Sequence, residues 1–196
     1  MQRVARKTFL ALALTGLLVA GFGAIPAHAS TFLAMDIPQL VNNSDSVVQG
    51  RVLKLDSHWD AEGRVIVTDV LLQVEEAVAG TAAGEIWVRT FGGTVGDYTV
   101  EANGFPHFAE GDRVLLFLNQ RHGVDDTIRV TGFQQGHYQI VERNGQELAI
   151  PTLEEGVSLI TKSGQAAITP QVRPLAQFKS EISLFARRAP QPRPSN

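Results

Sequence analysis

From residue 46 to residue 150 the chain is built of short apolar stretches, each set in alternation with polar positions and closed by a turn signal. Residues 47–55 read as a strand, with Gly50 at a place where a bulge or bend is expected. Residues 64–78 read as a long strand. Ile66, Val70, Leu72 and Val74 share one phase with Thr68, while Asp69, Gln73 and Glu75 hold the other. Period-two alternation of this kind means one buried face and one wetter face. The end of that strand is open, because residues 75–80 also fit the start of a helix. Residues 86–91 follow, closed by Gly92-Gly93, and residues 98–101 make a short strand. Residues 113–118 are apolar in both phases, which predicts a central strand covered on both sides. Residues 127–131, 137–141 and 147–150 complete the set. The last two flank Asn144-Gly145, a dipeptide that supplies the positive φ angles of a tight hairpin.

Two stretches carry a helical pattern. Residues 36–41 predict a short helix, with Asp36 as its cap and Pro38 in the first turn, where a missing N–H costs nothing. Residues 174–188 place Leu175, Phe178, Ile182 and Phe185 at spacings of three, four and three, so all four share one helical face. Residues 152–173 read as loop, and the tail 189–196, with Pro190, Pro192 and Pro194, reads as disordered. About eight short strands at close spacing predict a mostly β, antiparallel sandwich or closed barrel in a single domain over 30–188. A helix at each end would cover an open edge or a barrel mouth, because uncovered strand edges invite pairing with other chains.

The first 29 residues do not belong to this pattern. Arg3, Arg6 and Lys7 precede an uncharged apolar run over 9–25, and Ala27-His28-Ala29 stands before Ser30. A positive start, an apolar centre and an A-x-A ending form a secretory signal peptide, with cleavage expected between Ala29 and Ser30. The expected location is therefore periplasmic or secreted, with no stable membrane anchor after cleavage. The chain has no cysteine, which excludes a disulfide framework, a thiol nucleophile and every cysteine-based zinc site. Cleavage would remove three of the 17 basic residues and none of the 20 acidic ones, taking the formal net charge from −3 to −6. An acidic balance argues against nucleic acid as a partner.

Candidate chemistry is sparse. His58, His107, His122 and His137 lie beyond residue 29, and no two stand at the i, i+4 spacing of a helical metal pair. No metal site and no cofactor are expected. The glycine-rich run 92–98 lacks the Lys-Ser/Thr ending of a phosphate loop and reads as a wide turn that needs positive φ. There is no Gly-x-Ser-x-Gly nucleophile elbow. The carboxylate pairs Glu75-Glu76, Asp125-Asp126 and Glu154-Glu155 are adjacent in sequence, so in a strand their members point to opposite faces. The most unusual loop is Phe105-Pro106-His107-Phe108. Phe105, His107 and Phe108 are the binding candidates, as a knob for a partner; the same residues also suit a plug in a barrel end, since aromatics supply much of a small core.

The stretches 44–52, 70–80, 86–90 and 108–118 resemble those of a group of exported bacterial proteins, some of them joined to secreted metalloprotease domains. More distantly, residues 36–141 are similar to the netrin-like module, the OB-type barrel of the tissue inhibitors of metalloproteinases. The resemblance implies an antiparallel OB-like barrel of about six to eight strands. Those inhibitors chelate their target's zinc through an N-terminal cysteine, and a cysteine-free chain carries over none of their functional residues. The expected function is an exported, non-enzymatic binding module whose partner is another exported protein such as a protease. The alternative is an exported hydrolase whose site gathers His58, Asp60, His107, His122, Asp125 and His137 only in the fold.

Overall fold

β2 (Ser46–Trp59) and β3 (Ile66–Gly80) form a long antiparallel hairpin, so the stretch from Glu75 to Gly80 is strand and not helix. In this computed structural model the described residues are 30–121, 126–167 and 169–188. The expected leader with Ala29, the segment holding His122 and Asp125, and the proline tail lie outside them.

β3 pairs antiparallel with β4 (Glu85–Phe91), and β2 pairs antiparallel with β7 (Arg113–Gln120). β8 (Ile128–Val130) then closes the ring, antiparallel to β7 and parallel to β4 through Val88 and Ile128. The closed barrel therefore has five strands and is mixed, which corrects the expectation of six to eight strands running antiparallel throughout. The reason is parity: a closed ring with an odd number of strands cannot alternate direction everywhere, so one neighbouring pair must run parallel.

Three register shifts break the β2–β3 ladder, one of them between Gln49 and Gly50. A Cβ at Gly50 would stand 2.6 Å from the carbonyl oxygen of Gln73 and 2.9 Å from Cγ of Leu72, so this bulge requires glycine. Bulges raise local twist, which is what curls a two-stranded ribbon into a barrel wall.

One edge of β7 is divided between two neighbours. Val114 to Leu116 pair with β9 (His137–Arg143), whereas Leu118 to Gln120 pair with β8. The sheet forks there. β9, β10 (Gln146–Pro151) and the two-residue β12 (Arg173–Pro174) leave the barrel as a wing. The β9–β10 hairpin turns at Asn144 and Gly145, whose φ angles are 52° and 74°, as that dipeptide predicts.

The fork produces two cores. Val114, Leu116 and Leu118 of β7 point into the barrel with Val48, Val52, Val70, Leu72 and Val88. Leu115 and Phe117 point the other way, to Tyr138, Ile140 and the helices α1 (Ile37–Asn42) and α2 (Leu175–Arg188). A strand apolar in both phases thus serves two separate cores. Asp36 and Gln39 close a capping box on α1 with hydrogen bonds of 2.8 and 2.9 Å. Leu175, Phe178 and Ile182 of α2 are buried and Phe185 packs beside them, on the face that the spacing predicts. Both helices cover the outer face of the forked sheet. That corrects the expectation that they close an edge or a barrel mouth: the outward phase of β7 is apolar and needs the cover.

Two further pairs complete the structure. β1 (Ser30–Leu33) runs parallel to β11 (Val157–Ile160), inside the stretch read as loop, and β5 (Gly93–Val95) pairs with β6 (Tyr98–Val100). Gly92, Gly93 and Gly96 all have positive φ, as a turn of that composition requires. Among the described residues no helix is long and apolar enough to cross a membrane.

Candidate functional site

The chain passes from β8 in the barrel to β9 in the wing through a 3-10 turn at Phe133–Gly136. Gly132 precedes it with φ 69°, and Phe133 itself stands at φ 60°, a left-handed conformation that costs any side chain with a Cβ. The turn carries two buried glutamines whose amides are spent on other segments. Nε2 of Gln134 donates to the Phe105 carbonyl at 3.0 Å, and its Oε1 accepts from the Glu154 N–H at 3.1 Å. Oε1 of Gln135 accepts from the Met35 N–H at 2.8 Å, and its Nε2 donates to the Leu33 carbonyl at 3.1 Å. The Ala34 N–H meanwhile donates to Ile160 on the opposite side of β1. Gln135 therefore bonds the outer edge of β1 as a neighbouring strand would.

These anchors hold four phenylalanine rings in a row. Phe32 of β1 lies 4.8 Å from Phe133, Phe133 lies 5.0 Å from Phe105, and Phe105 lies 4.9 Å from Phe91 of β4. The Arg129 guanidinium ends the row, 4.8 Å from the Phe91 ring centre. Phe133 is 40% exposed and stands between two cavities, of about 310 and 490 Å³. The larger runs along β1 beside Leu33, Met35 and Lys162. The smaller lies on the outer wall at the parallel seam, where Arg89, Arg121 and Arg129 meet Phe91, Phe105 and Phe133. The seam explains the arginines: Val88 and Val130 face the barrel core, so Arg89 and Arg129, next along their strands, face out.

Arg89 is held by Asp69, which accepts from its Nε and Nη2 at 2.6 and 2.7 Å. Asp69 also faces His58, with 2.9 Å between Oδ2 and Nε2, while Nδ1 of His58 lies 2.8 Å from the Trp59 carbonyl oxygen. Both partners of this imidazole are acceptors, and the hydrogen bond to Asp69 raises its pKa above 6.5, with the Trp59 bond adding to it. Asp69 itself is lowered: burial pushes it up, and the hydrogen bonds from Arg89 and His58 together outweigh that.

The loop singled out in the sequence divides its side chains. Phe105 belongs to the ring row, and Pro106 is buried with its carbonyl accepting from the Thr90 hydroxyl at 2.9 Å. His107 is exposed, 3.0 Å from Glu154. Phe108 packs against the barrel core and stacks on His137 at 4.7 Å. His137 is 2% exposed, and neither ring nitrogen has a hydrogen-bond partner among the described residues. Burial lowers its pKa to about 3, with repulsion from His107 contributing. Of the histidines and aspartates expected to converge in a hydrolase, the four described ones stand apart. His58 bonds Asp69, Asp60 accepts the N–H groups of Arg64 and Val65 in its own turn, His107 faces Glu154, and His137 is enclosed. Among the described residues no cluster of three potential metal ligands occurs.

The residues that organise this region, Phe133, Gln134 and Gln135, were no part of the sequence expectation. Their signal is faint: two adjacent glutamines between Gly132 and Gly136, at a break between two strands. No family model matches the chain, and no curated protein matches it.

Proposed function

We propose that this protein is an exported, non-enzymatic binding module that engages another exported protein at the arginine–phenylalanine face. The observation that carries the reading is the row of four rings: it includes the exposed Phe133, adjoins an arginine-lined cavity, and is anchored by two buried glutamines. Part-exposed aromatics and arginines anchor protein interfaces. A strained aromatic kept at positive φ by its surroundings points the same way, because such strain gathers at ligand-contacting sites. The strand order supports an OB-like barrel. Numbered within the ring, the strands run first, second, third, fifth and fourth before returning to the first, with five strands and one parallel seam.

Export rests on the leader pattern before Ser30. The acidic net charge weighs against nucleic acid. The resemblance to exported proteins joined to metalloproteases makes a secreted protease the first partner to try. The test is capture from periplasm and culture supernatant by the purified protein and by its Phe133→Ala variant. A partner retained by the first and lost by the second is expected. The same proteins held equally by both would refute the assignment of this face. N-terminal sequencing of the protein from its native host should start at Ser30, and an intact Met1 start would remove the export reading.

A further inference from the structure

The seam cavity has a composition that names its occupant. At about 310 Å³ it lies at the small end of ligand sites, which run from roughly 300 to 1,000 Å³. It therefore takes one aromatic-sized group and not a length of peptide. Phe91, Phe105 and Phe133 form its apolar side, and Arg89, Arg121 and Arg129 its polar side; no described residue lining it is acidic. Arg89 is committed to Asp69, while Arg129 lies against Phe91 and donates to Thr127 at 3.1 Å. Both side chains are engaged and line the polar side of the cavity. The Arg121 side chain is exposed and makes no ion pair or hydrogen bond with any other described residue.

A guanidinium beside an apolar, π-rich wall complements a carboxylate carried on an aromatic body. An internal acidic residue next to an aromatic one would need room for two side chains. A C-terminal aromatic residue carries both features on a single residue. Resting on the binding-module reading, we infer that this cavity receives the C-terminal aromatic residue of the partner, its ring between Phe105 and Phe133 and its carboxylate against Arg121.

The test uses three blocked dipeptides followed by NMR on the purified protein: acetyl-Ala-Phe as the free acid, the same as the amide, and acetyl-Ala-Ala as the free acid. The Phe acid is expected to shift amides of residues 89–91, 105 and 129–133. It should bind at least tenfold more tightly than the amide and at least fivefold more tightly than the Ala acid. Arg121→Gln should weaken the Phe acid at least threefold with an unchanged melting temperature, since that side chain bonds no other described residue. Raising the salt from 50 to 500 mM should weaken the acid and spare the amide. Equal binding of acid and amide, shifts outside those residues, or no effect of Arg121→Gln would each overturn the inference. The two readings fail separately. A partner lost on Phe133→Ala while acid and amide bind alike leaves the module and removes the C-terminal occupant. Selective acid binding with no retained partner does the reverse.

Discussion

Replacing His137 with Leu should make the protein less sensitive to acid. Leu116 sits opposite His137 in the β7–β9 ladder, and directly opposed residues share a face, so the imidazole points into the barrel core. It is 2% exposed, lies under the Phe108 ring, and has no partner at either nitrogen among the described residues. Burial holds its pKa near 3 against the ordinary value of 6.5. Between those two values the unfolded chain takes up a proton at this position and the folded chain does not. Stability is therefore complete above about pH 6.5 and declines as the pH falls toward 3, by about 1.4 kcal/mol for each pH unit. At pH 4.5 the loss from this one group is about 3 kcal/mol. Leu titrates in neither state. It also removes a buried N–H that lacks an acceptor, a defect worth about 1–3 kcal/mol, so the variant should match or exceed the parent at pH 7.5. Urea unfolding of both proteins at pH 7.5, 6.0, 5.0 and 4.5 measures the effect. His58, His107 and the carboxylates are common to both, so the difference between the two curves isolates position 137. That difference should change by about 3 kcal/mol in favour of the variant between pH 7.5 and 4.5. Parallel curves would show that His137 is protonated or hydrogen-bonded in the folded protein, and the reasoning from burial would fail.

Four further outcomes are expected. Gln135→Leu leaves the Leu33 carbonyl and the Met35 N–H unbonded, at a cost of about 1–3 kcal/mol; hydrogen exchange at Met35 should accelerate while the β7 amides stay protected, and an unchanged Met35 would contradict the edge-sealing role. Phe133→Gly should be more stable than Phe133→Ala by about 1 kcal/mol in thermal unfolding, because glycine alone adopts φ 60° without strain; the opposite order would mean the turn relaxes once the ring is gone. Leu116→Ala should cost about 2–5 kcal/mol in denaturant unfolding, since the side chain is fully buried in the barrel, and a cost under about 1 kcal/mol would place it elsewhere. His58 should titrate above pH 6.5 by NMR and fall on Asp69→Asn; its pairing stabilises the fold fully below about pH 6.5 and fades as the pH rises through the folded value, and a midpoint indifferent to Asp69→Asn would dismiss the pair.

The barrel wall was legible because its signals are local. Alternation at Ile66, Thr68, Val70 and Leu72 marks a face, and the unbroken run from Val114 to Leu118 marks a strand with two covered sides. The parallel seam was not legible, because nothing in the three residues of β8 says which strand lies on their far edge. The same holds for β1 and β11, four residues each, whose pairing is a long-range event without a local trace. The site divided in a similar way. Phe105 and Phe108 were visible as an aromatic cluster around a proline, but which ring faces the core and which faces the seam depends on contacts with Phe133 and His137 from a distant segment. Gln134 and Gln135 look like ordinary surface residues until the three segments that their amides join are known.

The pairing of Ser30 with Val157 has a consequence for the order of assembly. In synthesis β1 emerges before the barrel strands, yet its strand partner among the described residues emerges 127 residues later, from position 30 to position 157. The barrel strands, β2, β3, β4, β7 and β8, are all made in between. The front strand must therefore wait as a loose thread while the barrel forms beside it, and it is stitched down only when the turn with Gln135 and the strand at 157–160 have both arrived. A chain ending before residue 157 would lack the strand that pairs with β1, and residues 30–33 would be the first part a protease could cut.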